Sequence, residues 1–196
     1  MIVYAISDPS TLNFQTLKQD IEHFANSAEM IVYRDKSTKT YSDNAKLFLA
    51  EAKRYSFSKI LLHTDYRLAH SLEADGVHLN STQFNDITKA KALGLFVLIS
   101  THTLDEALNA QNLGADMLTY SPIFSTPNKG EPKGVKELQK LTSLLDIPII
   151  ALGGIIGQEQ IDLCEKSGAE GFASIRYFTN KIYQQPQITK TKQAEK

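Results

Sequence analysis

The stretch from Ile147 to Ile175, IPIIALGGIIGQEQIDLCEKSGAEGFASI, holds one complete strand–helix–strand unit. Its two apolar runs, Ile147–Leu152 and Gly171–Ile175, are too short and too apolar for amphipathic helices, so we interpret both as buried strands. Between them, Ile161 and Cys164 lie at helical spacing, and Gly168 is predicted to end that helix. A buried strand, a helix and a second buried strand in this order are typical of parallel pairing in an α/β fold.

The same alternation runs along the rest of the chain. Six further strands are predicted at Ile2–Ile6, Met30–Tyr33, Ile60–His63, Val77–Leu79, Phe96–Ile99 and Met117–Tyr120. Eight strand–helix units in one domain most simply close on themselves, so we predict an α/β fold, a single compact (β/α)₈ TIM barrel. A doubly wound open sheet is the alternative, but no Gly-x-Gly-x-x-Gly follows the first strand.

Helical stripes fill the intervals between the strands. The first stripe is Leu12, Leu17, Ile21 and Phe24. A later helix is predicted to begin at Thr103, because Thr103 and Glu106 have the spacing of a capping box. The barrel domain is predicted over residues 1–180, and the polar, lysine-rich segment 181–196 is predicted to be a C-terminal tail.

Composition narrows the class of protein. A net charge of −1 gives no global attraction to nucleic acid or to an acidic membrane, so neither is an expected partner. No apolar run reaches the roughly 18 residues of a membrane span. The first strand does not have the pattern of a signal peptide, so the cytoplasm is the expected location. The single cysteine, Cys164, is expected to be buried packing rather than a reactive thiol.

Polar residues at the strand ends are the candidate site, because active sites of such barrels lie there. After the sixth strand, Thr126, Asn128 and Lys129 offer a hydroxyl, an amide and an ammonium that could clamp an anion such as pyrophosphate, although a solvated turn fits equally well. After the second strand, Arg34 and Lys36 either line the mouth or belong to a solvated charged run.

A phosphate site is predicted after the seventh and eighth strands. Gly153 and Gly154 would let backbone N–H groups approach a phosphate, and Arg176 could bind it bidentately. The alternative is a tight turn and a surface arginine. Asp65, after the third strand, could hold Mg²⁺ or could cap a short helix around Leu68–Leu72.

Two histidines are predicted to be structural. His78 and His102 have no partner at metal-ligand spacing, so each is interpreted as a hydrogen-bonded structural histidine.

At these residues the sequence resembles the thiamine phosphate synthase/TenI family over about residues 2–178. The resemblance rests on Gly114-Ala115-Asp116 together with Pro122-Ile123-Phe124-Ser125-Thr126-Pro127-Asn128-Lys129, on Asp75-Gly76-Val77-His78-Leu79, and on the segment from Ile147 to Ile155. Tyr4-Ala5-Ile6-Ser7-Asp8 resembles the family's opening strand.

The resemblance implies a reaction that joins hydroxymethylpyrimidine pyrophosphate to thiazole phosphate, with Mg²⁺ and with release of pyrophosphate. It implies that Arg34, Lys36 and Lys129 neutralise the pyrophosphate and that Asp65 holds the metal. Ser100 and Lys129 become the catalytic candidates, with Ser100 and Thr126 bonding to phosphoryl oxygens or to the pyrimidine. Gly154 and Ser174 would bind the thiazole phosphate, and a homo-oligomer is possible.

The sequence departs from the family pattern at several positions. The family's glutamine before the arginine is Val32, and Thr64 stands for its asparagine, where we still expect substrate contact. Its second magnesium aspartate is Gln83, and Arg176 replaces a small residue.

Two other activities stay open. A thiazole tautomerase would need no metal, but its characteristic histidine after the sixth strand is Pro122. A non-catalytic binder of thiazole or thiamine phosphate is the third hypothesis.

Overall fold

The computed structural model describes residues 1–127 and 129–182 of the 196-residue chain. Within these ranges strands and helices alternate throughout. The strands are β1 (Ile2–Ile6), β2 (Met30–Tyr33), β3 (Lys59–His63), β4 (Gly76–Leu79), β5 (Phe96–Thr101), β6 (Met117–Tyr120), β7 (Ile149–Leu152) and β8 (Gly171–Ser174). The helices are α1 (Leu17–Ala25), α2 (Tyr41–Ala52), α3 (Tyr66–Ser71), α4 (Phe84–Ala92), α5 (Leu104–Asn112), α6 (Gly134–Leu144), α7 (Gln158–Lys166) and α8 (Arg176–Ile182).

The sheet closes into a barrel. Each strand pairs in parallel with the next one, and β8 pairs with β1. Ile2 lies opposite Gly171 and Tyr4 opposite Ala173 in that closing pair. The predicted (β/α)₈ barrel is therefore confirmed, and the doubly wound open sheet is excluded because an open sheet has two unpaired edges.

Two apolar layers explain why the strands are apolar on both faces. One layer fills the barrel and includes Tyr4, Val32, Leu61 and Ile150. The other lies between the strands and the surrounding helices, and it includes the core faces of the helices. Strands covered on both sides are continuously hydrophobic rather than alternating, which is the pattern in the sequence.

Helix ends follow the local chemistry. The Thr103 hydroxyl accepts a hydrogen bond of 3.2 Å from the Glu106 N–H, and the Glu106 carboxylate accepts one from the N–H of His102. This confirms the predicted helix start, although the glutamate bonds one residue earlier than in a standard capping box. Gly114 and Gly168 have φ values of 84° and 80° just after α5 and α7, which is the left-handed conformation that ends a helix.

Several predicted bounds were wrong: β3, β4 and β8 each differ by one residue, and larger differences occur at α1, β5 and β7. Leu12 is buried but precedes α1, because the Asp20 carboxylate accepts a hydrogen bond from the Asn13 N–H and forms a turn there. β7 begins at Ile149 rather than Ile147, since Pro148 between them has no N–H to donate. β5 continues to Thr101, which lies opposite Tyr120 of β6.

The single cysteine is buried in the helical layer, as predicted. The Cys164 side chain has no solvent exposure, and burial raises the pKa of its thiol to about 12. No helix among the described residues is long and apolar enough to cross a membrane. Most of the predicted tail, residues 183–196, lies outside the described residues, and α8 includes residues 181 and 182.

Candidate active site

A cavity of about 530 Å³ opens at the mouth of the barrel. Because all eight strands are parallel, their C-terminal ends meet there, and each contributes residues to the wall. Nine of the predicted site residues line this one cavity: Arg34, Lys36, Ser100, Thr126, Lys129, Gly153, Gly154, Ser174 and Arg176. Asn128 lies outside the described residues.

The wall of this cavity is strongly cationic. Arg34, Lys36, Lys129 and Arg176 line it, whereas Asp8 is the one carboxylate among the described lining residues. Repulsion from Arg34, together with burial and the charge of Lys129, lowers the pKa of the Lys36 ammonium. Clustered charge of one sign in a concave site favours an anionic ligand with several negative charges.

The glycine pair after β7 allows two loops to touch. Gly153 and Gly154 have φ values of 99° and 71°. A Cβ atom on Gly154 would lie 2.6 Å from the Cβ atom of Phe124 and 2.8 Å from the carbonyl oxygen of Ser125. The Phe124 N–H donates a 3.0 Å hydrogen bond to the Gly153 carbonyl. The glycines therefore hold the loop after β6, which carries Lys129, against the end of β7.

The end of β8 is tied to the same region. The Ser174 hydroxyl donates to the carbonyl of Ile155 at 2.8 Å and accepts from the N–H of Tyr177 at 3.1 Å. Ser174 is buried, so its hydroxyl joins the loop after β7 to the first turn of α8. Arg176 is exposed and begins α8.

Thr126 also has a bond within its own loop. Its hydroxyl donates to the carbonyl of Phe124 at 2.9 Å, which tightens the turn before Lys129. Its predicted contact with substrate stays a prediction.

A hydrogen-bonded row of side chains crosses the floor of the cavity. The Tyr4 hydroxyl lies 2.9 Å from Nδ1 of His78, and Nε2 of His78 lies 2.9 Å from the Ser100 hydroxyl. The ring of His63 meets that of His78 edge to face at 5.8 Å. His78 is hydrogen-bonded, as predicted, and it also lines the cavity.

The two floor histidines are held neutral. Burial, with the charges of Arg34 and Lys36, lowers the pKa of His63 to about 3. Burial, with His63 and Arg34, lowers the pKa of His78 well below its usual value. Burial also raises the pKa of Tyr4, so its hydroxyl keeps its proton.

Sequence reasoning missed His63, which lines the cavity, and Tyr4, which is buried behind His78. The signal was available, because inward-facing residues alternate along a strand: Tyr4 and Ile6 lie on one face of β1, and Leu61 and His63 on one face of β3. His102 also reaches the cavity, and its Nδ1 lies 2.9 Å from the Ser121 carbonyl, which confirms the hydrogen bond expected for it.

A second cavity of about 360 Å³ adjoins the first. Thr64 and Asp65 line it, and Lys36, His63 and Asn80 line both cavities. The Asp65 carboxylate accepts a 2.9 Å hydrogen bond from the N–H of Leu68, so Asp65 caps α3, which was the alternative to a metal site. Its metal role stays a prediction.

Gln83 stands where the second magnesium aspartate was expected, and both ends of its side-chain amide are hydrogen-bonded. Nε2 of Gln83 donates to the carbonyl of Thr64 at 2.9 Å, and its Oε1 accepts from the N–H of Asn80 at 3.2 Å. Among the described residues no group of three or more His, Cys, Asp or Glu is placed to hold a metal ion.

Comparison with known proteins gives the family. The model of the family described as thiamine monophosphate synthase matches residues 3–178 of the chain. The chain belongs to the thiamine monophosphate synthase family. The match spans all eight strands apart from the first residue of β1, so the described barrel is the family's domain.

Individual relatives of this family agree. An Aquifex aeolicus protein named "Putative thiamine-phosphate synthase 2" is 34% identical, and the alignment covers 90% of this chain and 96% of that protein. The thiamine-phosphate synthase of Clostridium botulinum is 32% identical, with 88% and 87% covered. The solved structure of a thiamine phosphate pyrophosphorylase from Pyrococcus furiosus superposes with a TM-score of 0.75 at 25% identity, over 92% of this chain and 94% of that one.

These relatives make the chain a transferase of thiamine biosynthesis and confirm the resemblance found in its sequence. They do not favour a thiazole tautomerase or a non-catalytic binder. Val32, where the family's glutamine was expected, packs with Tyr4 and Leu61 inside the barrel.

Proposed function

We propose that the chain joins hydroxymethylpyrimidine pyrophosphate to thiazole phosphate and releases pyrophosphate. The observation that carries the proposal is that one cavity of about 530 Å³ is lined by two sets of residues with the chemistry to bind anions. Arg34, Lys36 and Lys129 follow β2 and β6, while the glycine pair and Arg176 follow β7 and β8. The volume lies in the usual range for a site that encloses small organic ligands.

The reaction needs stabilisation of departing charge more than a strong base. The carbon–oxygen bond between the pyrimidine's methylene and the pyrophosphate breaks, and its electron pair leaves with the pyrophosphate. The thiazole nitrogen donates its lone pair to that methylene carbon, so a carbon–nitrogen bond forms. Fixed cations beside the leaving group lower the barrier, which is the role we assign to Lys36 and Lys129, with Arg34.

The thiazole phosphate is assigned to the wall formed by the ends of β7 and β8. Gly153 and Gly154 line the cavity, and we assign their backbone N–H groups to the phosphate, since N–H groups of glycine turns before a helix bind phosphate. The guanidinium of Arg176 adds two parallel donors at the same wall. The hydroxyl of Ser174 already has two partners, so its contribution is to fix this wall.

The carboxylates near Lys36 fit a Mg²⁺ ion that would take its remaining ligands from substrate phosphate and water. Asp65 keeps one carboxylate oxygen that has no hydrogen-bond partner among the described residues, and the adjoining wall carries the carboxylate of Asp35. Mg²⁺ commonly binds through one or two carboxylates and substrate phosphates, retaining several waters. We assign Asp65 to that role. When bound, the ion neutralises charge on the pyrophosphate.

Thr64, beside Asp65, and Asn128 keep their assignment as substrate contacts. The cytoplasmic location and a homo-oligomeric state are part of the proposal as well.

The test is pyrophosphate release from the purified chain with both substrates, with and without Mg²⁺. We expect release that requires both substrates and product that contains both rings. No release under any metal condition, while thiazole phosphate still stabilises the protein against heat, would contradict the proposal and favour the binder.

A further inference from the structure

We propose that Tyr4 and His78 are positioning residues that fix the Ser100 hydroxyl as a hydrogen-bond donor into the cavity. The bonds come from the structure, and the identity of the acceptor, an atom of the pyrimidine substrate, rests on the proposed function. The position of each proton along the row from Tyr4 to Ser100 decides which groups donate and which accept.

The first step is the direction of the bond at Tyr4. Its side chain is fully buried in the barrel, and among the described residues His78 Nδ1 is the hydrogen-bond partner of its hydroxyl. If Nδ1 carried a proton and donated, the Tyr4 O–H would be left buried without an acceptor. A buried O–H without an acceptor is destabilising, because the hydrogen bonds that it makes to water in the unfolded chain are not replaced. Tyr4 therefore donates and Nδ1 accepts.

The second step is the tautomer of His78. A neutral imidazole has one N–H and one lone pair, so a lone pair at Nδ1 places the proton at Nε2. Burial, with His63 and Arg34, lowers the pKa of His78, and the ring is neutral at physiological pH. Nε2–H therefore donates to Ser100 Oγ across 2.9 Å.

The third step is the orientation of Ser100. Its oxygen receives the N–H of His78, and His78 is its one side-chain partner in the described part of the chain. Ser100 is half-buried at the end of β5 and lines the large cavity. Its own O–H has no acceptor among residues 1–127 and 129–182, so it is available to a ligand as a donor.

This polarity selects the ligand atom. A donor in the cavity wall favours an acceptor such as a ring nitrogen or a phosphoryl oxygen and disfavours an amino group. The cations already serve the anionic groups at the rim, and we therefore assign Ser100 to an unprotonated ring nitrogen of the pyrimidine. A donor held in one orientation before binding loses less entropy when the ligand binds.

The tautomer can be read without any reaction. Long-range proton–nitrogen correlation spectra of the labelled, unliganded protein should show His78 protonated at Nε2 alone. In Tyr4→Phe we expect signals of both tautomers, whereas Ser100→Ala should keep the Nε2 form. Protonation of Nδ1 in the unsubstituted protein would overturn the inference, whatever the enzyme turns over.

Kinetics of single and double variants test whether Tyr4 acts through Ser100. We expect Tyr4→Phe to lower kcat/KM for the pyrimidine substrate about fivefold and Ser100→Ala about tenfold, with the double variant no worse than Ser100→Ala. If the double variant instead lost kcat/KM by the product of the two single losses, Tyr4 would act on the fold and not through Ser100. Tyr33→Phe is the matched control, since it also removes a buried tyrosine hydroxyl, outside the barrel, and should leave kcat/KM unchanged.

Binding separates the two proposals if no turnover is found. Ser100→Ala should weaken binding of hydroxymethylpyrimidine about tenfold and leave binding of inorganic pyrophosphate unchanged. If binding of hydroxymethylpyrimidine and of pyrophosphate weakened equally, Ser100 would contact phosphoryl oxygens rather than the pyrimidine ring. If binding of neither ligand changed, the inference would be refuted. If the protein has no synthase activity but shows the Nε2 tautomer, and if Ser100→Ala weakens binding of hydroxymethylpyrimidine alone, the proposed reaction is refuted and the positioning of Ser100 stands.

Discussion

The side-chain amide of Gln83 donates a 2.9 Å hydrogen bond to the carbonyl oxygen of Thr64. Thr64 has a positive φ of 66°, an uncommon conformation for a β-branched residue, and this bond is one of the contacts that hold it. A carboxylate at position 83 could not donate the bond. The residue that departs from the family pattern therefore serves as a brace between the loops after β3 and β4.

We predict that Gln83→Asp lowers the stability of the protein and raises its affinity for Mg²⁺. The lost donor and the added charge near Asp86 should lower the free energy of unfolding by about 1–2 kcal/mol, a fall of roughly 2–8 °C in the melting temperature. A second carboxylate near Asp65 should raise the affinity for Mg²⁺, which titration calorimetry with pyrophosphate present would measure. Gln83→Glu is the control with the original side-chain length. Unchanged Mg²⁺ affinity in Gln83→Asp would argue against a metal at Asp65.

We predict that Lys129→Ala lowers the rate of pyrophosphate release about 100-fold. Lys129 lines the cavity, and removal of one preorganised positive donor from developing charge typically has an effect of this size. Steady-state kinetics with both substrates would measure it. Lys133→Ala is the matched control, because Lys133 is an exposed lysine of the same loop that does not line the cavity. Similar rates for both variants would remove Lys129 from the catalytic role.

Stability should fall as the pH drops below about 6.5, in part because of His63. The pKa of His63 is about 3 in the folded protein and near 6.5 in the unfolded chain, so between these values the unfolded state binds the extra proton. His63→Gln should show a shallower loss of unfolding free energy from pH 6.5 to pH 4, measured by denaturant titration. His70→Gln, at an exposed histidine, is the control and should keep the original slope. A His63→Gln slope equal to that of the unsubstituted protein would contradict the assignment.

Alanine at Gly154 should be far more costly than alanine at Gly94. Both glycines have positive φ, 71° and 79°, so both substitutions strain the backbone by about 1–2 kcal/mol. Only at Gly154 would the new Cβ also overlap a neighbour, Phe124, whereas nothing lies within 4 Å at Gly94. The overlap should add about 1–3 kcal/mol of destabilisation and displace the loop that carries Lys129. Denaturant titration and pyrophosphate affinity measure the two effects, and equal values for both variants would contradict this reading.

The sequence predicted the barrel well because each strand is short, apolar and followed by a polar residue. The bounds of β1, β2 and β6 agree with the prediction to the residue. The glycine pair after β7 was found for its backbone, but its contact with Phe124 was invisible, since it depends on how two loops pack.

The site was predicted as a set of residues and not as a set of bonds. Lys36 and Lys129 line one cavity because parallel strands end at one mouth, which the order of elements already implied. The row from Tyr4 through His78 to Ser100 could not be predicted, because it joins β1, β4 and β5 across the inside of the barrel. Asp65 shows the remaining ambiguity, since a capping aspartate and a metal-binding aspartate follow a strand in the same way.

The pairing of β1 with β8 has a consequence for synthesis of the chain. Ile2 of β1 is synthesised well before its register partner Gly171 of β8. One edge of β1 therefore has no strand to bond with until β8 has left the ribosome. Contacts of such long sequence separation form slowly, and an unpaired strand edge is a template for association with other chains. The nascent barrel is thus open at this seam for most of its translation, and the seam is where a chaperone would have the longest time to act.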